Sequence, residues 1–436
     1  MSEYSEMLIV KAETLDPDDD DYEESLLKTA ALFRGFDEAL TAFISEHGYT
    51  GDYNDIGAKS KFLLAKYKAA GVTPPRSFKE WFSPNKRLER KTVIPVCFAF
   101  NLDIEEANDF LRCVQFDRGL DCHTVSEAVY YFCIKNSLSY SEAREIINRI
   151  PAPKKVKTIP KRDVLYTGTI IKYIDSIDDK EKLIQYITDN IGEFEYNNVT
   201  AIKDIQELWT EISKKDGLAV KEGTIIDRMH NRFKDKSKKG NTDTRLREVI
   251  VKEVKHEEDA VKPEDFVVAK ADASTWNIFS QIIGLDNATE NKYAVNFDRS
   301  LSSVLSQNAL LPLNASYCFP SQHSIDKLIR GELSNNELIR KMLIFLVFYT
   351  FWAKKITDSN DPFYTSHITK NDSDAERCMD TINTQLLKAG YPAMYAGNPY
   401  DWVFMWSLND EHPLEAFRTY MGEVLAFKKE HEDTDD

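Results

Sequence analysis

Glycine and proline are scarce in this chain, 16 and 15 of 436 residues. A sandwich or barrel of short strands needs many turn-formers, so the shortage disfavours one and favours long helices. Cysteine is equally thin. The six thiols, Cys97, Cys113, Cys122, Cys133, Cys318 and Cys378, include no close pair at zinc-ligand spacing. No charged-then-apolar leader follows Met1, and scattered thiols without a leader point to a reducing cytoplasm. No apolar run reaches the roughly 20 residues that a membrane-spanning helix needs. Phosphate loops, dinucleotide fingerprints, paired-histidine zinc motifs and nucleophile elbows are missing as well. These absences predict a protein that is not an enzyme and uses neither metal nor cofactor.

What is present is acid, aromatic carbon and two related apolar helices. The net charge of -16 opposes nonspecific attraction to nucleic acid. It is distributed unevenly: the segments 16–24 and 430–436 are rich in Asp and Glu and read as solvated tails. The stretch 56–92 is instead basic, with Lys59, Lys61, Lys66, Lys68, Arg76, Lys79, Lys86, Arg87, Arg90 and Lys91 against Glu80 and Glu89.

The strongest local feature runs from Arg340 to Trp352. It is apolar on every side, so as a helix it must be surrounded by other helices. Its opening, Arg340-Lys341-Met342-Leu343-Ile344, is echoed by Arg90-Lys91-Thr92-Val93-Ile94, and a phenylalanine coincides further along each run, Phe348 and Phe98. Each follows a short polar segment carrying Ser, Lys and Arg. The echo predicts two related helical modules.

Apolar spacing and caps predict helices over 26–46, 56–70, 76–82 and 90–100, with Pro95 starting or kinking the last of these. A further helix begins after Asp103, another after Thr124 with Glu127 placed for a capping box, and another after Ser139. Residues 151–162 read as a basic linker. Helices are expected near 166–176, 179–191 and 200–214, then a charged, apolar-poor loop to 256. The C-terminal part predicts helices at 274–283, 299–307, 323–331, 335–355, 374–389, 400–407 and 414–429. The expected fold is all-α and multi-helical, two helix-turn-helix-like modules joined by a helical middle region. The expected division is an acidic disordered tail (1–25), an N-terminal domain (26–150), the linker (151–162), a middle region with a basic loop (163–257), a C-terminal domain (258–429) and an acidic tail (430–436).

In both modules a short polar helix stands between a turn and a long apolar helix, the arrangement that pins a reading helix while leaving one face for the major groove. Pro320 to Glu332, followed by Glu337-Leu338-Ile339-Arg340-Lys341, resembles the λ-repressor-like (Cro/XRE) helix-turn-helix, in which a Gly closes the second helix. Arg76 to Phe82 is a poorer copy without that Gly. The resemblance implies that Gln322, Ser324 and Lys327 face bases, with His323 and Arg330 nearer phosphates. In the first module it implies that Arg76, Ser77 and Lys79 face bases or backbone and that Lys86, Arg87 and Arg90 contact phosphates. The whole chain also resembles a set of bacterial proteins of no assigned activity that share runs like those from Cys122 to Phe132 and from Asn398 to Trp402.

Two functions follow as expectations. The first is a regulator that binds double-stranded DNA through the N-terminal module. The second is a helical scaffold or adaptor that binds a protein partner or a second copy of itself, motivated by the acid excess and by the aromatic run 391–406. Neither requires a membrane. Cys122-His123 reads as structural rather than as a ligand pair.

Overall fold

The computed structural model describes residues 3–15, 32–83, 88–120, 124–152, 167–194, 199–225, 327–331, 336–360 and 372–418, with positions 25, 28, 29, 122, 364, 366, 368 and 369. The expected helices at 274–283 and 299–307 and residues 153–162 of the basic linker lie outside these residues. The fold is all-α and multi-helical. Its helices are α1 (Glu3–Thr14), α2 (Phe36–Glu46), α3 (Ile56–Ala69), a one-turn 3-10 helix η1 (Lys79–Phe82), α4 (Arg90–Val93), α5 (Pro95–Ala99), α6 (Ile104–Cys113), α7 (Val125–Lys135) and α8 (Tyr140–Arg149). They continue as α9 (Thr167–Asp175), α10 (Lys180–Asp189), α11 (Val199–Ser213), α12 (Asn336–Ser359), α13 (Asp374–Lys388) and α14 (Pro399–Leu408). Short helical segments also lie at 218–225 and 413–418. Among the described residues the only extended pairing is a two-residue antiparallel ladder, Ile368–Thr369 against Asp372–Ser373.

The helix starts are set by neighbours in the chain. Asp103 accepts the Glu106 N–H at 2.9 Å while Glu106 returns to the Asp103 N–H at 2.9 Å. Ser139 with Glu142, and Ser373 with Glu376, form the same reciprocal cap. Pro95 ends α4 and occupies the first position of α5, where its missing N–H has no helical partner to lose. The expected capping box at Thr124 forms only by half. Its hydroxyl accepts the Glu127 N–H at 3.1 Å, but the Glu127 carboxylate is taken by Arg90 instead.

The helices assemble around two apolar cores that do not follow the expected division. One core joins α2 through α8 with α9 and α10, the latter pair supplying Ile170, Ile174, Leu183 and Ile187. The other joins α11 to α14 with α1, which supplies Leu8 and Ala12. The expected middle region is therefore shared out between the two cores. Likewise residues 3–14, expected in a disordered acidic tail, are helical. Leu8 is fully buried, and its carbonyl accepts the Trp402 indole N–H at 2.8 Å. Apolar contact with α14 outweighs the acid that flanks α1 in sequence.

Helix α12 behaves as its composition requires: every residue from 339 to 350 is buried. It packs on α11 and α13. Phe345 and Phe348 meet Phe417, and Phe348 meets Phe404 edge-on at 5.1 Å between centroids.

The echo between the modules has a structural basis. Arg90, at the start of α4, grips Glu127 with Nε to Oε1 at 2.8 Å and Nη2 to Oε2 at 2.9 Å. Arg340 in α12 grips Asp401 with Nη1 and Nη2, each at 2.7 Å. Glu127 is the third residue of α7 and Asp401 the third of α14. Each carboxylate therefore also lies in a first turn, where the helix dipole favours negative charge. The repeated Arg thus clamps one apolar helix to a later one in both modules. Tyr391 is buried within electrostatic range of Arg118, Asp117, Arg340 and Arg90.

A second polar group is sealed in the C-terminal core. The Tyr349 hydroxyl donates to Glu222 at 2.6 Å, Arg418 pairs with Glu222 at 2.9 Å, and Arg418 also donates to Glu415 at 2.8 Å. Burial pushes the Glu415 carboxyl above the usual carboxylate range, and Arg418 only partly opposes this. A carboxyl raised in the folded state keeps its full contribution below the unfolded glutamate value. That contribution erodes as pH rises through this value, because the unfolded chain then ionises more readily. Glu415→Gln keeps the acceptor for Arg418 but cannot ionise. Denaturant titrations are therefore expected to show the variant gaining stability over the wild type as pH rises above about 4, the unfolded glutamate value. A constant difference across that range would refute the assignment.

Candidate functional site

The expected DNA-reading residues divide sharply. Gln322, His323, Ser324, Lys86 and Arg87 lie outside the described residues. Lys327 is half-buried and Arg330 exposed on a short turn of helix that Gly331 closes with φ +75°, a left-handed conformation favouring glycine. That turn is docked inward as well: Leu328 is fully buried, and the Ile329 carbonyl accepts Gln206 Nε2 at 2.7 Å.

In the first module the expected reading helix is reduced to the single turn η1. Trp81 and Phe82 hold it in the core, where Phe78 and Tyr67 pack edge-on at 4.9 Å. Its outer side presents Arg76 and Lys79, with Glu80 beside them, while Ser77 is half-buried and accepts the Lys79 N–H at 3.3 Å.

Two cations of the basic stretch turn inward. Arg90, expected on phosphates, is 14% exposed and spends its donors on Glu127, the Arg118 carbonyl at 2.7 Å and the Gly119 carbonyl at 2.7 Å, beside Asp117 at 3.1 Å. This is a correction. Burial disfavours the charged guanidinium, but the carboxylates in reach outweigh it, Glu127 first and then Asp117, and raise its proton affinity. Lys59, expected to point outward with the other α3 lysines, is buried. It donates to Thr41 at 3.0 Å and lies 4.5 Å above the Phe82 ring, and burial lowers its pKa. Lys66 is half-buried over the Phe62 and Phe100 rings, and Lys91 pairs with Glu89 at 2.6 Å. Lys61, Lys68, Arg76 and Lys79 remain exposed.

A cleft of about 950 Å³ opens between α1, α2, α6 and the segment before α14. Its apolar lining includes Phe43, Phe110, Met394, Tyr395 and Met405. Arg34 lies 4.1 Å over the Tyr4 ring, and its backbone N–H donates to the Tyr4 hydroxyl at 3.0 Å. Arg112 pairs with Asp109 at 2.7 Å and lies 5.8 Å from the Tyr395 ring centre. Both cleft arginines are thus held by the walls. Burial pushes the Tyr4 and Tyr395 hydroxyls up, so both stay neutral donors. Glu3, Glu46 and Glu106 stand exposed on the rim.

The aromatic run 391–406 pointed in this direction, since a partner groove was one reading of it. Most of that run is core: Trp402 is fully buried and Trp406 nearly so, whereas Met394, Tyr395 and Met405 reach the cleft. Tyr4, Arg34 and Arg112 carried no local pattern, because the cleft is assembled from segments hundreds of residues apart. Cys122 is buried with its thiol pushed up by burial, in keeping with a structural part. No group of three His, Cys, Asp or Glu among the described residues is placed to hold a metal. None of the described helices is long and apolar enough to cross a membrane.

Comparison with family models, with curated proteins and with solved structures gives no match.

Proposed function

We propose that this chain is a non-enzymatic helical scaffold that binds a protein partner. The observation that carries the reading is the inward turn of Arg90 and Lys59. Attraction to duplex DNA depends on cations that neutralise phosphates at the surface. Here two of the basic stretch serve the core instead, and the net charge of -16 works against the polyanion. The cleft offers methionine and aromatic side chains with a polar rim, the composition of protein-recognition surfaces.

A second reading, a regulator of double-stranded DNA, draws on Arg76 and Lys79, which stand exposed on either side of Ser77. One titration separates the two. For the scaffold, a mixed-sequence duplex at about 50 mM salt shows no mobility shift, and Arg76→Glu/Lys79→Glu changes nothing. For the regulator, a shift appears, weakens by about a thousandfold toward 200 mM salt, and is lost in the double variant. That second outcome would replace the scaffold reading.

A further inference from the structure

We propose that the cleft between α1, α2 and α6 takes a basic amphipathic helix of a partner protein, laid with its apolar face inward. The inference rests on the scaffold reading and adds the place and the chemistry of the partner.

Three features carry it. The first is the floor. Phe43 is buried, while Met394, Tyr395 and Met405 are each half-buried at the opening, so apolar surface is presented to a ligand rather than fully covered. Methionine is unbranched and adapts its shape to an entering side chain, which is why such residues suit grooves that receive helices. The second is charge. The lining holds four carboxylates, Glu3, Glu46, Glu106 and Asp109, against two arginines. Both arginines are engaged, Arg34 over Tyr4 and Arg112 with Asp109. Glu106 caps α6, but the Glu3 and Glu46 side chains have no ion-pair partner among the described residues. The rim therefore has negative charge to offer, and lysines or arginines on the outer flank of an entering helix complement it. The third is size. A volume of about 950 Å³ seats several inward-facing side chains while the rest of a helix lies across the opening.

Cys113 provides a reporter. It lines the cleft and is half-buried, whereas Cys97, Cys122, Cys133 and Cys378 are buried. The probe is a fluorescein-labelled synthetic peptide of about 18 residues, roughly 27 Å as a helix, with leucine on one face and lysine on the other. A counterpart carries glutamate at every lysine position. The full-length chain is titrated by fluorescence anisotropy. In parallel, alkylation of Cys113 by N-ethylmaleimide is followed by peptide mass mapping.

The lysine peptide is expected to bind, to slow Cys113 alkylation in a saturable way, and to bind at least about tenfold more weakly to Glu3→Lys/Glu46→Lys. Both substitutions are at exposed positions, and helical content measured alongside verifies that the variant is folded. Met394→Glu is expected to abolish the alkylation protection; the Met394 side chain is half-buried against the edge of the C-terminal core, so helical content is measured for this variant too, while its backbone N–H still donates to Asn383 at 2.8 Å. The proposal is overturned if neither peptide protects Cys113, if the glutamate peptide binds as tightly, or if the charge-reversed rim leaves affinity unchanged. These failures leave the scaffold reading standing, since that reading falls only if duplex DNA binds and Arg76→Glu/Lys79→Glu abolishes the binding.

Discussion

Asp401→Ala is expected to cost about 3–5 kcal/mol of stability, because it leaves the Arg340 guanidinium charged and unpaired in the C-terminal core. Arg340 and Asp401 are 7% and 0% exposed in their side chains, so water cannot replace the lost partner. Asp401 also accepts the Tyr395 N–H at 2.9 Å, which loses its acceptor in the same substitution. The measurement is the first unfolding transition in urea, with hydrogen exchange identifying the helices released. Protection is expected to fall first in α12 and α14, with α6 to α8 affected less. Arg340→Leu/Asp401→Leu removes both charges and is expected to be more stable than Asp401→Ala, since a pair replaced by apolar groups avoids the isolated charge. A shift under about 1 kcal/mol for Asp401→Ala would mean that the clamp is not what holds the two helices together. Glu127→Ala should act in the same way on α4 and α7, because Arg90 is its counterpart in the repeated arrangement.

The second large effect belongs to Trp402. Its ring is fully buried, lies edge-on to Phe33 at 5.7 Å and stacks on Trp406 at 6.4 Å, and its indole N–H reaches the Leu8 carbonyl. Trp402→Ala is expected to lose about 3–5 kcal/mol, the usual cost of emptying a large buried aromatic site. It should also free α1, which a limiting protease would reveal as cleavage within residues 3–14 before the rest of the chain is cut. Trp402→Phe retains most of the packing and loses the hydrogen bond to a carbonyl inside α1, so about 1–3 kcal/mol is expected for the lost bond and the smaller ring. If Trp402→Ala left α1 as protected as in the wild type, the docking of the N-terminal helix would have to come from other contacts. Because the aromatic ring rather than the hydrogen bond supplies most of the burial, the two variants should differ by more than either bond geometry alone would produce.

The helices that were readable from the sequence share a local cause. The starts at Asp103, Ser139 and Ser373 are made by side chains bonding to backbone three positions away, so a few adjacent residues suffice to define them. The stop at Gly71 is equally local, since its φ of +66° suits glycine. The wrapping of α12 followed from composition, because a helix apolar all round has no face to give to water. Where the reading went astray, a distant partner intervened. Within the span 26–46, positions 28 and 29 are helical, but residues 32–35 are not: Phe33 turns onto the distant Trp402 ring at 5.7 Å, and a new helix starts at Phe36. The reading helix expected over 76–82 shrank to one turn because three aromatic residues in seven, Phe78, Trp81 and Phe82, are drawn into the core.

The candidate site shows the same division more strongly. Arg90 looked like a phosphate contact because a cationic side chain in a basic stretch gives no sign of its direction. Glu127 lies 37 residues further on, and only folding brings it within 2.8 Å. The cleft had one partial trace in the aromatic run 391–406, but its other wall comes from α1 and α2. From the sequence alone came the helical class, the caps, the buried character of α12 and the repeated Arg-Lys opening of two modules. Those depend on contacts within a turn or two, or on apolar content that no arrangement can hide. Tertiary structure decided which arginines are clamps, which core receives α1 and α9, and where a cleft remains. Each of those outcomes depends on charges and rings brought together from far along the chain, where the gain from burying one pair determines what is left at the surface.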